Sequence, residues 1–281
     1  MKKTLKIVVL AKQVPDTRNV GKDAMKADGT VNRAALPAIF NPEDLNALEQ
    51  ALVLKDMFPG STVEILTMGP GRAAEIIREG MYRGADGGVL LSDRKFAGSD
   101  TLATSYALSR AILNMKPDII VAGRQAIDGD TAQVGPQVAE KLGWPQITYA
   151  EDIKRRLEHG VETVACPLPL VMTVNGSAPE CRPRHAKLVM KCKYAKTASE
   201  MQEAQEDYTD LRSERPYLNI NEWSVADIDA DDQQLGLTGS PTKVKKIDNV
   251  VFAAKEAKRL TADDRDIDSL MQELIASHTL G

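Results

Sequence analysis

Aromatic residues make up only 4% of this 281-residue chain, and the formal net charge is −4. The first scarcity argues against a stacking platform for single-stranded nucleic acid. The second argues against bulk electrostatic binding of a polyanion, so no nucleic-acid partner is expected. There are three cysteines, Cys166, Cys181 and Cys192, and none forms a CxxC pair. So sparse a set gives no disulfide framework and points to a reducing compartment, with the cytoplasm as the expected location. The three histidines, His159, His185 and His278, are scattered, so no zinc site is expected. No run of eighteen or more apolar residues exists, which leaves nothing to insert in a membrane. The N-terminal run Ile7–Ala11 is too short for a signal peptide and ends at Lys12. GxxxxGK[ST], GxSxG and HExxH are all missing. Cys166, within Ala165-Cys166-Pro167-Leu168-Pro169, reads as a core thiol, and His185 as a surface residue. No acid–base pair emerges, so a cofactor would have to supply any chemistry.

What is present is ordinary globular composition, 43% hydrophobic and 27% charged, in a strict alternation of strand and helix. Leu5–Leu10 reads as a strand buried on both faces. Pro42–Lys55 reads as a helix with Leu45, Leu48, Ala51 and Leu52 at helical spacing, Asn41 as N-cap and Pro42 at the first helical position. Strands are expected at Thr62–Met68, Gly87–Leu91, Asp118–Ala122 and from Pro145, with helices over Ala73–Tyr82, Ser99–Asn114 and Thr131–Leu142. This alternation implies an α/β fold, a doubly wound and mostly parallel sheet. Ligands then sit beyond the carboxyl ends of the strands, which brings loops 11–16, 68–72, 92–99 and 123–131 into view.

The remainder is less periodic. Residues 16–40 form a long connection with an Asp28-Gly29 turn, longer than an idle loop needs to be. Residues 151–200 gather Lys154, Arg155, Arg156, Arg182, Arg184, Lys187, Lys191 and Lys193, which suits either a solvated face or a docking surface for an acidic partner. Residues 1–200 are read as one α/β domain and 201–281 as a C-terminal arm that wraps another surface, closed by a helix over 262–277 with Thr261 as its cap.

The run Gly123-Arg124-Gln125-Ala126-Ile127-Asp128-Gly129-Asp130-Thr131-Ala132-Gln133-Val134-Gly135-Pro136 follows a buried strand and opens a helix. Asp130 is placed to cap that helix, with Gln133 as its capping-box partner. The helix N-terminus would offer free amides and a positive dipole end to a phosphate, with Gly129 permitting close approach and Thr131 adding a hydroxyl. A plain capped turn explains the same residues, and Asp128 and Asp130 would repel an anion unless they face away or bind a ribose. A second loop, Gly69-Pro70-Gly71-Arg72-Ala73-Ala74, fits G-x-G-x-x-A with Asp93 about twenty residues on. Pro70 suits that fingerprint poorly, and a tight turn beside an adenine pocket, with Met68 against the base, is the simpler reading.

Taken together with Ala11-Lys12-Gln13-Val14-Pro15-Asp16, Asn41-Pro42-Glu43-Asp44 and Met68-Gly69-Pro70, the 123–136 run resembles the beta subunit of electron-transfer flavoproteins. Gly239-Ser240-Pro241-Thr242-Lys243-Val244 resembles that family's C-terminal arm, and the likeness covers nearly the whole chain. The resemblance implies a heterodimer with an alpha subunit that carries FAD. It implies nucleotide contacts from Leu10, from Asn41, Pro42, Glu43 and Asp44, from Met68, and from Gly123, Arg124, Gln125, Ala126, Ile127, Asp128, Gly129, Asp130, Thr131, Ala132, Gln133 and Val134. Conventional members hold AMP there. The electron-bifurcating members hold a second FAD, reduced by NADH, and pass electrons to an acceptor dehydrogenase and to ferredoxin. The run Gly123–Pro136 and Val31-Asn32-Arg33 ahead of Asn41-Pro42-Glu43-Asp44 are similar to the bifurcating branch, in which Gly129 and Thr131 would suit a pyrophosphate. Leu188 falls where the family places its partner-recognition loop. The chain departs from the family in the short link 152–163 and in Asn175–Arg184.

Overall fold

In the computed structural model the described residues are 4–16, 37–151, 154–157, 160–162, 164–204, 209–242, 260–261 and 263–276. They belong to two compact units, Met1–Ala24 with Asn32–Lys245, and Met25–Val31 with Lys246–Gly281. The Asp28-Gly29 turn and Val31–Arg33 lie outside the described residues.

The first unit begins β1 (Lys6–Leu10), β2 (Gln13–Pro15), β3 (Ala38–Phe40), α1 (Pro42–Met57), β4 (Thr62–Met68), α2 (Ala74–Met81) and β5 (Gly87–Leu91). It continues α3 (Thr101–Met115), β6 (Ile119–Gly123), α4 (Val134–Leu142), β7 (Gln146–Glu151), β8 (Lys154–Leu157), β9 (Gly160–Glu162) and β10 (Leu170–Val174). It ends with α5 (Ala186–Cys192), α6 (Ala198–Ala204), α7 (Thr209–Glu214) and β11 (Asn221–Trp223). The main sheet runs β11-β5-β4-β1-β6-β10-β7-β8-β9. Its first seven strands are parallel, and β8 and β9 add an antiparallel edge.

β1 is central, and its side chains divide between two cores. Ile7 and Val9 join Leu48 and Leu52 of α1 and Ile76 and Ile77 of α2 on one face. Val8 and Leu10 join Leu108 and Ile112 of α3 and Val138 of α4 on the other. A strand buried on both faces has no polar side to show, which is why Lys6–Leu10 reads as an unbroken apolar run. The chain moves outward from β1 through β4 to β5, then returns to place β6 on the other side of β1. The switch in strand order therefore falls between the carboxyl ends of β1 and β6.

Helix starts differ from expectation where local chemistry intervenes. α3 begins at Thr101 because Asp100 caps it, accepting from Leu102 N at 2.9 Å and Ala103 N at 3.0 Å. α4 begins at Val134, three residues later than expected. Asp130 and Ala132 have φ of 48° and 53°, a left-handed conformation that no right-handed helix contains. Asp130 is therefore not the cap, and Gln133 holds the N-cap position without a capping hydrogen bond. Asn41 does precede α1 with Pro42 at its first turn, but its side chain makes no cap either.

The expected division at residue 200 also differs from the observed one. β11 pairs with β5, and Val225, Ile228 and Leu235 are buried in the core on the α3 face. These apolar residues belong to irregular backbone, so no period announced them. In the second unit the described helix is α8 (Asp264–Ala276). Thr261 does not cap it: its amide and hydroxyl both donate to Asp266 Oδ2 at 2.8 Å.

Ile65 of β4 is fully buried, and a Cβ at Gly80 would lie 2.8 Å from its Cγ1. Gly80 is packed against this side chain and Gly88 is paired with the Ile65 backbone, so the site has little freedom to collapse. Ile65→Ala should cost about 2–5 kcal/mol, read as a lower urea midpoint at unchanged m-value. A loss below about 1 kcal/mol would contradict this packing.

Candidate functional site

The carboxyl ends of the parallel strands enclose a cleft of about 980 Å³. Its walls come from the four loops that the doubly wound topology brings into view, after β1, β4, β5 and β6. Leu10, Met68 and Asp44 line it, as do Gly123, Arg124, Gln125, Ala126 and Asp128 through Val134. Asn41, Pro42, Glu43 and Ile127 do not line it. Three of these four take part in a framework behind the wall.

That framework is built from the first turn of α1. Asn41, fully buried, donates from Nδ2 to Gln125 O at 2.9 Å, and Ile127 N donates to its Oδ1 at 3.2 Å. Gln125 N donates to Glu43 Oε2 at 2.8 Å. Gly123 N and Lys12 N donate to the two oxygens of Asp44 at 3.2 and 2.8 Å. Asp44 thus ties the end of β1 to the end of β6 across the switch point. The approach is possible only because residue 123 has no side chain. A Cβ there would lie 2.7 Å from Glu43 C and 2.8 Å from Asp44 N, and would overlap Asp44 Oδ1. Burial pushes the Asp44 carboxyl up to about 7, even though the Lys12 and Gly123 amides and Asn41 favour its charged form; neighbouring Glu43 adds to the rise.

At the other end of the loop, Gly129 N and Asp130 N close a turn on Ala126 O. Beyond that turn, the amides of Thr131, Ala132 and Gln133 have no protein acceptor among the described residues. Left-handed residues at 130 and 132 alternate with right-handed Gln133, a backbone pattern that makes concave nests of N–H groups. Such conformations cost about 1–2 kcal/mol per non-glycine residue. Together with the first-turn amides of α4, this leaves a cradle of unpaired donors of the kind that suits an anion. Gly129 is not required by the fold, since a Cβ there meets nothing within 4 Å.

Charge is arranged to match. Lys12 Nζ lies 2.8 Å from both oxygens of Asp128, which removes much of that acid's repulsion for an anion. Sequence reasoning passed over Lys12; the signal was its place directly after the last buried residues of a central strand. Arg124 Nη2 is 3.3 Å from Glu43 Oε1, and its guanidinium stands 5.7 Å from the Tyr149 ring centre. Its Nε is buried and finds no hydrogen-bond partner among the described residues. Gln133 Oε1 accepts from the Thr101 hydroxyl at 2.8 Å, which links the starts of α3 and α4.

Gly69-Pro70-Gly71 does line the cleft beside Met68. Asp93 does not act as a dinucleotide fingerprint acid would, because both its oxygens accept backbone amides, from Lys95 and Val225. Leu188 lies on α5 and is half-buried, while Met190 and Tyr194 beside it are 66% and 63% exposed. The divergent segment 175–184 is fastened to α1. Arg182 N donates to Glu49 Oε2 at 2.8 Å and Arg182 Nη2 to Glu49 Oε1 at 2.9 Å, and Asn46 Nδ2 donates to Ala178 O at 2.8 Å. Among the described residues no group of side chains could hold a metal, and no helix is long and apolar enough to cross a membrane.

A doubly wound sheet with a long cleft at its switch point, lined by unpaired amides, is an α/β domain with the arrangement common to nucleotide-binding folds. Comparison with known proteins narrows this. Residues 28–205 match the Electron transfer flavoprotein domain. The chain is 42% identical to the electron transfer flavoprotein subunit beta of Megasphaera elsdenii, over 97% of this chain and 98% of that one. It is 40% identical to the acryloyl-CoA reductase electron transfer subunit gamma of Anaerotignum propionicum, over 98% and 100%. It is 50% identical to the caffeyl-CoA reductase-Etf complex subunit CarD of Acetobacterium woodii, over 60% and 68%. The chain belongs to the electron-transfer flavoprotein family, on the side of its beta subunits.

Two outcomes follow from the framework. Asn41→Ala strands the Ile127 amide and the Gln125 carbonyl, and should cost about 2–4 kcal/mol in chemical denaturation. Unchanged stability would show that the loop does not depend on this clamp. Asp44 has a folded value above its unfolded one, so its stabilising contribution is complete below pH 3.8 and is lost as pH rises through about 7. Denaturation midpoints of the wild type should therefore fall from pH 5 to pH 8 relative to Asp44→Asn. Parallel profiles would refute the assignment.

Proposed function

We propose that this chain is the beta subunit of an electron-bifurcating electron-transfer flavoprotein and that its cleft holds FAD. The observation that carries the reading is the extent of the cleft together with its cradle. At about 980 Å³ it reaches from the amides of 131–133 past Met68 to Glu222. That is near the top of the range for small-molecule sites, about 300–1,000 Å³, and a single-phosphate nucleotide would leave much of it unfilled. The donor set also suits a pyrophosphate: free amides at Thr131, Ala132 and Gln133 and the first turn of α4, with the Arg124 side chain on the same wall.

In this reading Leu10 and Met68 give the adenine an apolar wall. Asp128, Asp130, Thr131 and Gln133 serve ribose and phosphate groups, and Lys12 keeps Asp128 from repelling them. Arg124, braced by Glu43 and Tyr149, adds positive charge along the same wall. Asn41, Glu43 and Asp44 support the loop from behind. A bound FAD would supply hydride acceptance from NADH and onward electron transfer, to the alpha-subunit FAD and a dehydrogenase or reductase on one branch and to ferredoxin on the other. The names of two relatives, which place them with acyl-CoA reductases, favour an acceptor of that class. The exposed side chains of α5 and its surroundings, Met190 and Tyr194 beside Leu188, suit the docking of that acceptor.

The second reading, a conventional beta subunit holding AMP, is favoured by the same cradle, since one phosphate also satisfies it. Cofactor content of the purified heterodimer separates the two. Two flavins per heterodimer and no AMP are expected, with NADH bleaching the flavin absorbance. One flavin plus one AMP would overturn the bifurcating assignment.

A further inference from the structure

The matched family domain ends at residue 205, yet the chain beyond it determines part of the cleft. The cleft wall after β5 is a lip of residues 92–101. Arg94, Lys95, Ala97 and Gly98 are exposed, and Phe96 is the one residue of this stretch buried in the core. Most of what else fixes the lip comes from 223–242. Ser92 N donates to Trp223 O at 3.0 Å, and Val225 N donates to Asp93 Oδ2 at 3.3 Å. Leu237 packs so closely on Gly98 that a Cβ there would lie 2.7 Å from its Cγ. Gly236, at φ 53°, passes so near the lip that a Cβ would overlap Lys95 O.

Ser240 closes this seat. It is 3% exposed, its hydroxyl donates to Gly236 O at 2.6 Å, and Asp100 N donates to Ser240 Oγ at 2.8 Å. One hydroxyl therefore satisfies the loop that carries it and the residue that starts α3. Thr242 N donates to Asp100 Oδ2 at 3.1 Å, while Asp100 Oδ1 caps α3. Asp100 and Thr101 line the cleft, and Thr101 bonds Gln133 beside the cradle.

We infer that Ser240 is a positioning residue for the cleft: without touching the occupant, it holds the 92–101 lip closed over it through Asp100. This rests on the reading that the cleft holds a nucleotide. Ser240 controls retention more than folding, because the lip is the exposed wall through which an occupant leaves, whereas the α1 clamp on the opposite wall is buried.

The test uses the purified heterodimer with Ser240→Ala, loaded with FAD and then challenged with labelled FAD. Loss of a buried hydroxyl that accepts from Asp100 N and donates to Gly236 O should speed exchange about tenfold, with faster hydrogen exchange confined to 92–101 and 235–242. The thermal midpoint of the nucleotide-free heterodimer should move little. Exchange within about twofold of wild type would overturn the inference, as would a general loss of stability and of protection across the sheet. Ser240→Cys, which keeps a weak donor and acceptor, should fall between the two. If the wild-type heterodimer retains neither FAD nor AMP in this chain, the reading of the cleft itself fails, a result distinct from equal exchange in the two proteins.

Discussion

The close approach of α1 to the loop after β6 is the constraint on which the rest depends. Gly123 admits the helix start, and Asn41, Glu43 and Asp44 then satisfy four amides and one carbonyl of Lys12 and 123–127. A loop leaving a central strand ordinarily turns its polar backbone to water. Here those groups are satisfied from behind, so the other side of the loop is free to form the wall of a cleft. The first-turn acids of α1 would stabilise the positive end of their own helix in any context. In this protein the same carboxylates are also spent on a second element, which makes the helix start and the loop a single unit.

That arrangement places acids close to a site suited to anions, and the structure resolves the conflict case by case. Asp44 is buried deeply enough that desolvation outweighs the amides favouring its charge. Glu43 faces Arg124 and Asp128 faces Lys12. Partly exposed ion pairs contribute little to stability, about 0–1 kcal/mol. Their effect here is local: they cancel negative potential along one wall while leaving the amides of 131–133 unopposed.

The parallel sheet and the loops of the cleft were legible because each rests on a strong periodic signal, whereas the strand order, with β10 set between β6 and β7, was not read from the sequence. Ile7–Leu10 and Ile119–Val121 are unbroken apolar runs, and the helices between them follow 3.6-residue spacing. The site was legible by location and less so by role. Asn41 through Asp44 stand where a contact to ligand was expected, yet Asn41 and Glu43 serve the backbone, because a side chain's partner across 80 residues leaves no mark in local sequence. The start of α4 was misplaced for a related reason. Asp130 and Gln133 satisfy a capping pattern, but left-handed backbone at 130 and 132 overrides it, and no residue type there demanded that conformation. Lys12 escaped notice because a lysine after a strand has many ordinary explanations.

The C-terminal segment shows how far irregular backbone can determine a site. Residues 221–242 contain one three-residue strand, yet they supply an edge to the sheet, three side chains to the core and the seat for the lip of the cleft. The glycines explain why this stretch reads as a loop. Gly236 and Gly239 are required where backbone passes backbone too closely for any Cβ: Gly236 at Lys95, Gly239 at Gln234 and Leu235. Close backbone packing of this kind fixes a wall as firmly as a helix does, but without periodicity. A domain boundary drawn from apolar pattern alone therefore falls too early, at the point where the chain stops repeating and not where it stops contributing to the fold.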